Sequence, residues 1–137
     1  MATKHLGVVG SPIDHSKSPA IHTAAYRVLK LDWDYVANEV VGGNLDAWLA
    51  GLDENWIGVS VTAPLKEEAA AYAVRDMEKA LGSANTLVRA GNSWKAYNTD
   101  VFGIQQALDS IDASSVRAVT VIGAGATAKS ALAAVSR

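Results

Sequence analysis

The chain has 137 residues, of which 50% are hydrophobic and 19% charged, with a formal net charge of −2 and no cysteine. That composition specifies a packed globular core of ordinary domain size and excludes disulfides and thiolate chemistry. A pI near 5.8 gives no bulk attraction to nucleic acid or a membrane surface, and no stretch approaches the roughly 18 apolar residues that would span a bilayer.

The first strand is expected over 5–10, HLGVVG, a short apolar run ending in glycine. The loop SPIDHSKSP follows, with Ser18 as helix cap and Pro19 at the first helical position. Ile21, Ala24, Ala25 and Val28 share one face of that helix and are expected to meet the core. Residues 33–40, WDYVANEV, read as a second strand. After a Gly-Gly pair, Asn44 is expected to cap a short helix carrying Leu45, Trp48, Leu49 and Leu52. WIGVSV at 56–61 is a third strand, and Pro64 opens the next helix. A polar helical turn around Asp76 precedes two strands, 84–89 and 93–98, joined by a hairpin turn at AGN. TDVFGIQQALDSI is helical, with Val101, Ile104, Leu108 and Ile111 facing inward, and VRAVTVIG at 116–123 is a last strand. Alternating strands and helices predict an α/β fold, a three-layer domain with a largely parallel mixed sheet.

In open α/β sheets ligands collect at the carboxyl ends of the parallel strands, and four polar clusters follow strands here: SPIDHSKSP, TAPLK, YNTD and GAGATA. Asn85, at the start of an antiparallel strand, can reach the same rim. A lysine with a carboxylate partner suits proton transfer at a hydroxyl or carbonyl. Hydroxyls beside a helix N-terminus suit an anionic group. Each residue also has a plainer reading: Ser18 as a cap, Lys66 as a solvated helix lysine, Asp100 as a charge favoured by the helix dipole. His15 and His22 read as loop or packing residues, since no second cluster of metal ligands accompanies them, and the four tryptophans read as packing.

GSPIDHSKSPAIH, GVSVTAPLKE, SANTL, AYNTD and VIGAGATAKSA occur in this order along the chain. Together they resemble the shikimate dehydrogenase family, its N-terminal portion, over most of the 137 residues. The resemblance implies NADP-linked interconversion of 3-dehydroshikimate and shikimate, with Lys66 and Asp100 as the catalytic pair. It implies Ser16 and Ser18 on the substrate carboxylate, Thr62 and Asn85 as further substrate contacts, and Gly123, Ala124, Gly125, Ala126 and Thr127 at the cofactor pyrophosphate. Three positions depart from the family's pattern. Ser60 stands where asparagine is common before VT, Ala96 where glycine is common before YNTD, and Ala126 where a further glycine is common. Quinate is the alternative substrate, and the serine pair in SKS favours shikimate.

A dinucleotide domain needs further β-α units after its first. The expected division is therefore a shikimate-binding domain over 1–100, a connecting helix and link over 101–115, and the start of a truncated Rossmann domain over 116–137. The expectation is a fragment, inactive alone, that either still works as a redox-inactive shikimate-binding module or belongs to a complete enzyme. No nucleic-acid or membrane partner and no metal are expected. The location expected is cytoplasmic, since no apolar run of signal-peptide length opens the chain. The apolar strand 117–122, without neighbours, is expected to invite self-association.

Overall fold

The computed structural model describes residues 3–111 and 116–136. Five strands form one mixed sheet in the order β2-β1-β3-β4-β5: β1 (Lys4–Gly10), β2 (Trp33–Glu39), β3 (Trp56–Val61), β4 (Thr86–Ala90) and β5 (Ser93–Tyr97). β1 lies parallel to both β2 and β3, whereas β4 runs antiparallel to β3 and to β5. The helices are α1 (Ser18–Leu29), α2 (Leu45–Ala50), α3 (Lys66–Ala69, continued by a 3₁₀ turn at Ala70–Tyr72), α4 (Asp76–Leu81), α5 (Asp100–Asp109) and α6 (Ala126–Val135).

A central strand covered on both faces needs apolar residues without alternation, and β1 supplies them. Val8 joins Ile13, Tyr26 and Tyr35 under α1, while its neighbour Val9 joins Leu45, Leu49, Val59, Val61, Leu65 and Leu87 on the opposite face. Leu45, Leu65 and Leu87 are completely buried, each contributing about 1.5–3 kcal/mol of burial. The β4–β5 hairpin pairs Ala90 with Ser93, so Gly91 and Asn92 form its loop. Gly91 adopts φ +63 there, a conformation that glycine takes without a Cβ penalty.

β1 ends at Gly10 against the 62–64 loop. A Cβ at Gly10 would stand 2.4 Å from the Thr62 methyl and 2.7 Å from the Ala63 carbonyl oxygen. Because one of those neighbours is backbone, Gly10→Ala is expected to destabilise the chain by about 1–3 kcal/mol, read as a lowered midpoint in urea. An unchanged midpoint would show that the loop yields freely.

Several expectations are corrected. The helical face Ile21, Ala24, Ala25 and Val28 points to solvent, Ile21 and Val28 being 64% and 81% exposed. α1 instead buries Tyr26 and turns His22 onto Tyr35, because two rings at i and i+4 cover more of the sheet than small aliphatic groups. The N-cap of α1 is Lys17, not Ser18. Asn44 occupies the N-cap of α2 without a side-chain bond, and the Glu68 carboxylate accepts the Gly43 and Leu45 amides in its place. The helix expected from Pro64 begins at Lys66. In α5 only Val101 is buried, and Ile111 is 61% exposed.

The largest correction concerns 116–124, which form no strand. A strand exists only when its N–H and C=O groups have a neighbouring ladder, and Ile122, at 98% exposure, has no sheet to enter. The strand through which self-association is expected is thus not formed. The helix after it docks on the rest of the chain: α6 packs against α5 and α4, burying Ser130 and Ala134.

Candidate active site

The carboxyl ends of β1 and β3 lie side by side, and the antiparallel sense of β4 brings its beginning to the same rim. The Val61 amide donates to the Asn85 carbonyl at 2.8 Å, and the Asn85 amide to the Tyr97 carbonyl at 3.0 Å. The Ala84 amide donates to the Lys66 carbonyl at 2.8 Å. Lys66 at the start of α3, Asn85 before β4 and Asp100 at the start of α5 therefore converge although they are far apart in sequence.

Their side chains are connected. Lys66 Nζ donates to Asp100 Oδ2 at 2.7 Å, the two side chains being 16% and 24% exposed. Asn85 Nδ2 donates to the other carboxylate oxygen, Asp100 Oδ1, at 2.7 Å. Asn85 Oδ1 in turn accepts the Thr99 amide and the Thr86 hydroxyl. Both Asp100 oxygens are thus committed, which fixes the carboxylate plane and leaves two Lys66 N–H bonds for a ligand. A partly buried ammonium held this way can stabilise a developing oxyanion or transfer a proton.

Thr62 lies one turn before Lys66, its amide donating to the Val9 carbonyl at 2.9 Å. Ser16 and Ser18 are half-buried at the start of α1, and the Ser16 hydroxyl accepts the Ser18 amide at 3.3 Å. No hydrogen bond among the described residues joins this pair to the Lys66 cluster. The plainer reading of Ser18 as the cap falls away, since Lys17 occupies the N-cap and no side chain caps α1.

Sequence reasoning missed Asn98, which is 4% exposed. Its Oδ1 accepts the Asp100 and Val101 amides at 3.0 and 3.2 Å, orienting the first turn of α5. Its Nδ2 donates to the Ser83 carbonyl and to Ser130 Oγ on α6. Asparagine two residues before a helical aspartate is a local side-chain-to-backbone signal, and it was there to be read in YNTD.

A second missed group lies behind the serines and β3. Tyr35, 5% exposed, bonds Ser60 through its hydroxyl at 2.7 Å. Burial pushes the Tyr35 phenol above its ordinary value, and the Ser60 bond pulls the other way without reversing the shift, so the phenol stays protonated at neutral pH.

Across from Lys66 stands the amino end of α6. A cleft of about 700 Å³ is lined by Thr62, Pro64 and Lys66 on one wall and by Gly123, Gly125 and Thr127 on the other. Lys129 of α6 and Glu67 of α3 are paired at 2.5 Å. No side chain caps α6, and its first turn carries no acidic residue. A Cβ at Gly123 or Gly125 would meet nothing within 4 Å, and Gly123 has φ +129. The turn Gly123–Ala124–Gly125–Ala126–Thr127 therefore offers free backbone amides and close approach, the donor set that a dinucleotide pyrophosphate takes. Among the described residues no group of three or more His, Asp or Glu side chains is placed to hold a metal ion, and no helix is long and apolar enough to cross a membrane.

The chain is thus a layered α/β domain with a lysine–carboxylate pair at its strand ends, facing a glycine turn. The chain belongs to the shikimate dehydrogenase family: residues 8–87 match the model for the shikimate dehydrogenase substrate binding domain. Among curated relatives, the NADP(+) shikimate dehydrogenase of Hyphomonas neptunium is 42% identical over 131 residues, 93% of this chain and 48% of the relative. That of Methanothermobacter thermautotrophicus is 36% identical over 126 residues, 90% of this chain and 44% of the relative. The chain spans about half the length of the curated relatives it matches. The crystal structure of the Aquifex aeolicus shikimate dehydrogenase superposes with a TM-score of 0.85 at 31% identity, covering 98% of this chain and 52% of that one. That of Thermus thermophilus, a complex with NADP(H) and shikimate, gives 0.83 at 29% identity, covering 97% and 52%.

Proposed function

We propose that this chain is the substrate-binding part of an NADP-linked shikimate dehydrogenase, acting in the reversible reduction of 3-dehydroshikimate to shikimate. The observation that carries this reading is the Lys66–Asp100–Asn85 array, whose Lys66 lines a cleft together with the glycine turn before α6. In this reading residues 1–100 bind the substrate, 101–115 connect, and 116–137 begin the NADP-binding part.

NADPH, when bound, supplies the hydride for the carbonyl carbon. The residues of this chain do the rest. Lys66 meets the reacting oxygen and gives it a proton, or takes one in the reverse direction. Asp100 holds and aims Lys66, while Asn85 prevents the carboxylate from turning away. Ser16 and Ser18 hold the substrate carboxylate, and Thr62 adds a hydroxyl contact. Gly123, Ala124, Gly125, Ala126 and Thr127 hold the pyrophosphate. Such a site works in a water-filled cell interior, and a cytoplasmic setting belongs to the same proposal.

The course of 116–124, outside the sheet, favours a second reading of the 137-residue polypeptide taken alone, as a shikimate-binding module without redox turnover. Both readings require that shikimate binds. Calorimetry at millimolar shikimate is expected to give saturable heat, and shikimate with NADP is expected to give no reduced-nicotinamide absorbance. Absence of heat would overturn the substrate assignment; appearance of absorbance would overturn the second reading.

A further inference from the structure

The four groups His22, Tyr35, Ser18 and Ser60 lie on three different elements and yet make one stack. His22 Nδ1 lies 2.9 Å from the Ser18 carbonyl oxygen; a carbonyl only accepts, so Nδ1 carries the hydrogen. The His22 ring lies parallel on Tyr35, with centroids 3.9 Å apart and planes 7° from parallel. Tyr35 reaches across β1 to Ser60 at 2.7 Å. The phenol is a far stronger acid than the serine alcohol, so Tyr35 donates and Ser60 Oγ accepts. The hydrogen of Ser60 is then left to point elsewhere. Ser60, half-buried in β3, precedes Thr62 by two positions, and Thr62 stands one residue past the end of that strand.

We propose that Tyr35 and His22 are a positioning pair for the cleft, Tyr35 turning the Ser60 hydroxyl outward as a donor and His22 fixing the Ser18 turn. Neither ring touches the ligand. They act through two hydroxyl residues and are tied to each other by the stack, so that the loop before α1 and strand β3 keep one fixed spacing. The ligand chemistry this favours is an oxygen acceptor, a carboxylate or hydroxyl oxygen, seated between Ser18 and Ser60. That assignment of the ligand rests on the shikimate reading above.

The test is a set of variants of the 137-residue chain, with shikimate affinity measured by calorimetry and stability by thermal melts. Tyr35→Phe and Ser60→Ala are each expected to weaken shikimate binding roughly three- to tenfold. The double variant is expected to lose no more than the worse single one, because the two groups act as a unit. His22→Phe, which keeps a ring and loses the donor, is expected to weaken binding. His22→Asn places a donor near the Nδ1 position and is expected to recover most of the loss. Additive losses, unchanged affinities, or affinities that merely follow the melting temperature would overturn the proposal. Should the unaltered chain bind no shikimate, the functional reading fails, and NMR still decides the positioning. His22→Phe is then expected to move the amide signals of Ser16 and Ser18, and Tyr35→Phe those of Ser60 and Thr62. Unmoved signals would overturn it.

Discussion

Lys66→Ala, with this chain joined to the cofactor-binding part of a relative, is expected to lower shikimate turnover by about 10²- to 10⁴-fold. The size follows from the geometry. Lys66 Nζ lies 2.7 Å from Asp100 Oδ2, which holds the ammonium where the proton is transferred. Lys66→Arg is not expected to rescue, since a guanidinium stays protonated and presents a planar fork where a single N–H is needed. Asp100→Asn should lie between the two, as the lysine remains but loses its aim. Steady-state rates over a range of shikimate concentrations separate the effect on turnover from that on binding. A Lys66→Ala enzyme within threefold of the parent would remove Lys66 from the chemistry.

Glu78→Ala is expected to cost about 1–3 kcal/mol of stability, the range for leaving a buried amide, here that of Asn98, without its acceptor. Glu78 of α4 is fully buried, receives the Arg75 guanidinium through both carboxylate oxygens, and accepts the Asn98 amide beyond β5 at 3.3 Å. Burial pushes its carboxyl up, but the Arg75 bond and the Asn98 amide together hold it below the usual carboxylate range. The folded value therefore lies below the unfolded one of about 4.3. The unfolded chain binds the extra proton, so the stabilisation is present above that value and is lost as pH falls through the folded value. Urea midpoints measured from pH 7 down to pH 3 are expected to fall for the parent and to fall less steeply for Glu78→Gln. Identical slopes in acid would show that Glu78 titrates alike in both states.

Much of this architecture is legible in the amino-acid sequence. Strands β1, β2 and β3 follow from apolar runs bounded by glycine or polar clusters, and the antiparallel β4–β5 hairpin from the turn around Gly91. The juxtaposition of Lys66 with Asp100 was legible as well, through a resemblance of motifs whose spacing alone left Lys66 a solvated helix residue. What failed was choice between faces. α1 carries apolar groups on two sides, and the decision fell to His22 and Tyr26, whose partners Tyr35 and Trp33 arrive from another element. Long-range capping was hidden for the same reason: nothing near Asn44 announces that Glu68 serves the amides at the start of α2. The apolar pattern of 117–122 reads as a strand, but a strand needs a neighbouring ladder, and 117–122 lie outside the five-stranded sheet.

Asn98 joins two parts of the molecule through one amide group. Its oxygen sets the turn that aims Asp100, and its nitrogen holds Ser130 within the helix whose amino end faces the cleft. The tilt of that helix and the aim of the carboxylate are thereby geared together, at a point sealed from water. Domain exchange between relatives then has a chemical condition at its seam. A transplanted segment carrying α6 keeps the gearing only if it brings a small hydroxyl to position 130; an alanine there leaves the amide hydrogen idle, and a larger side chain lifts the helix off its bearing.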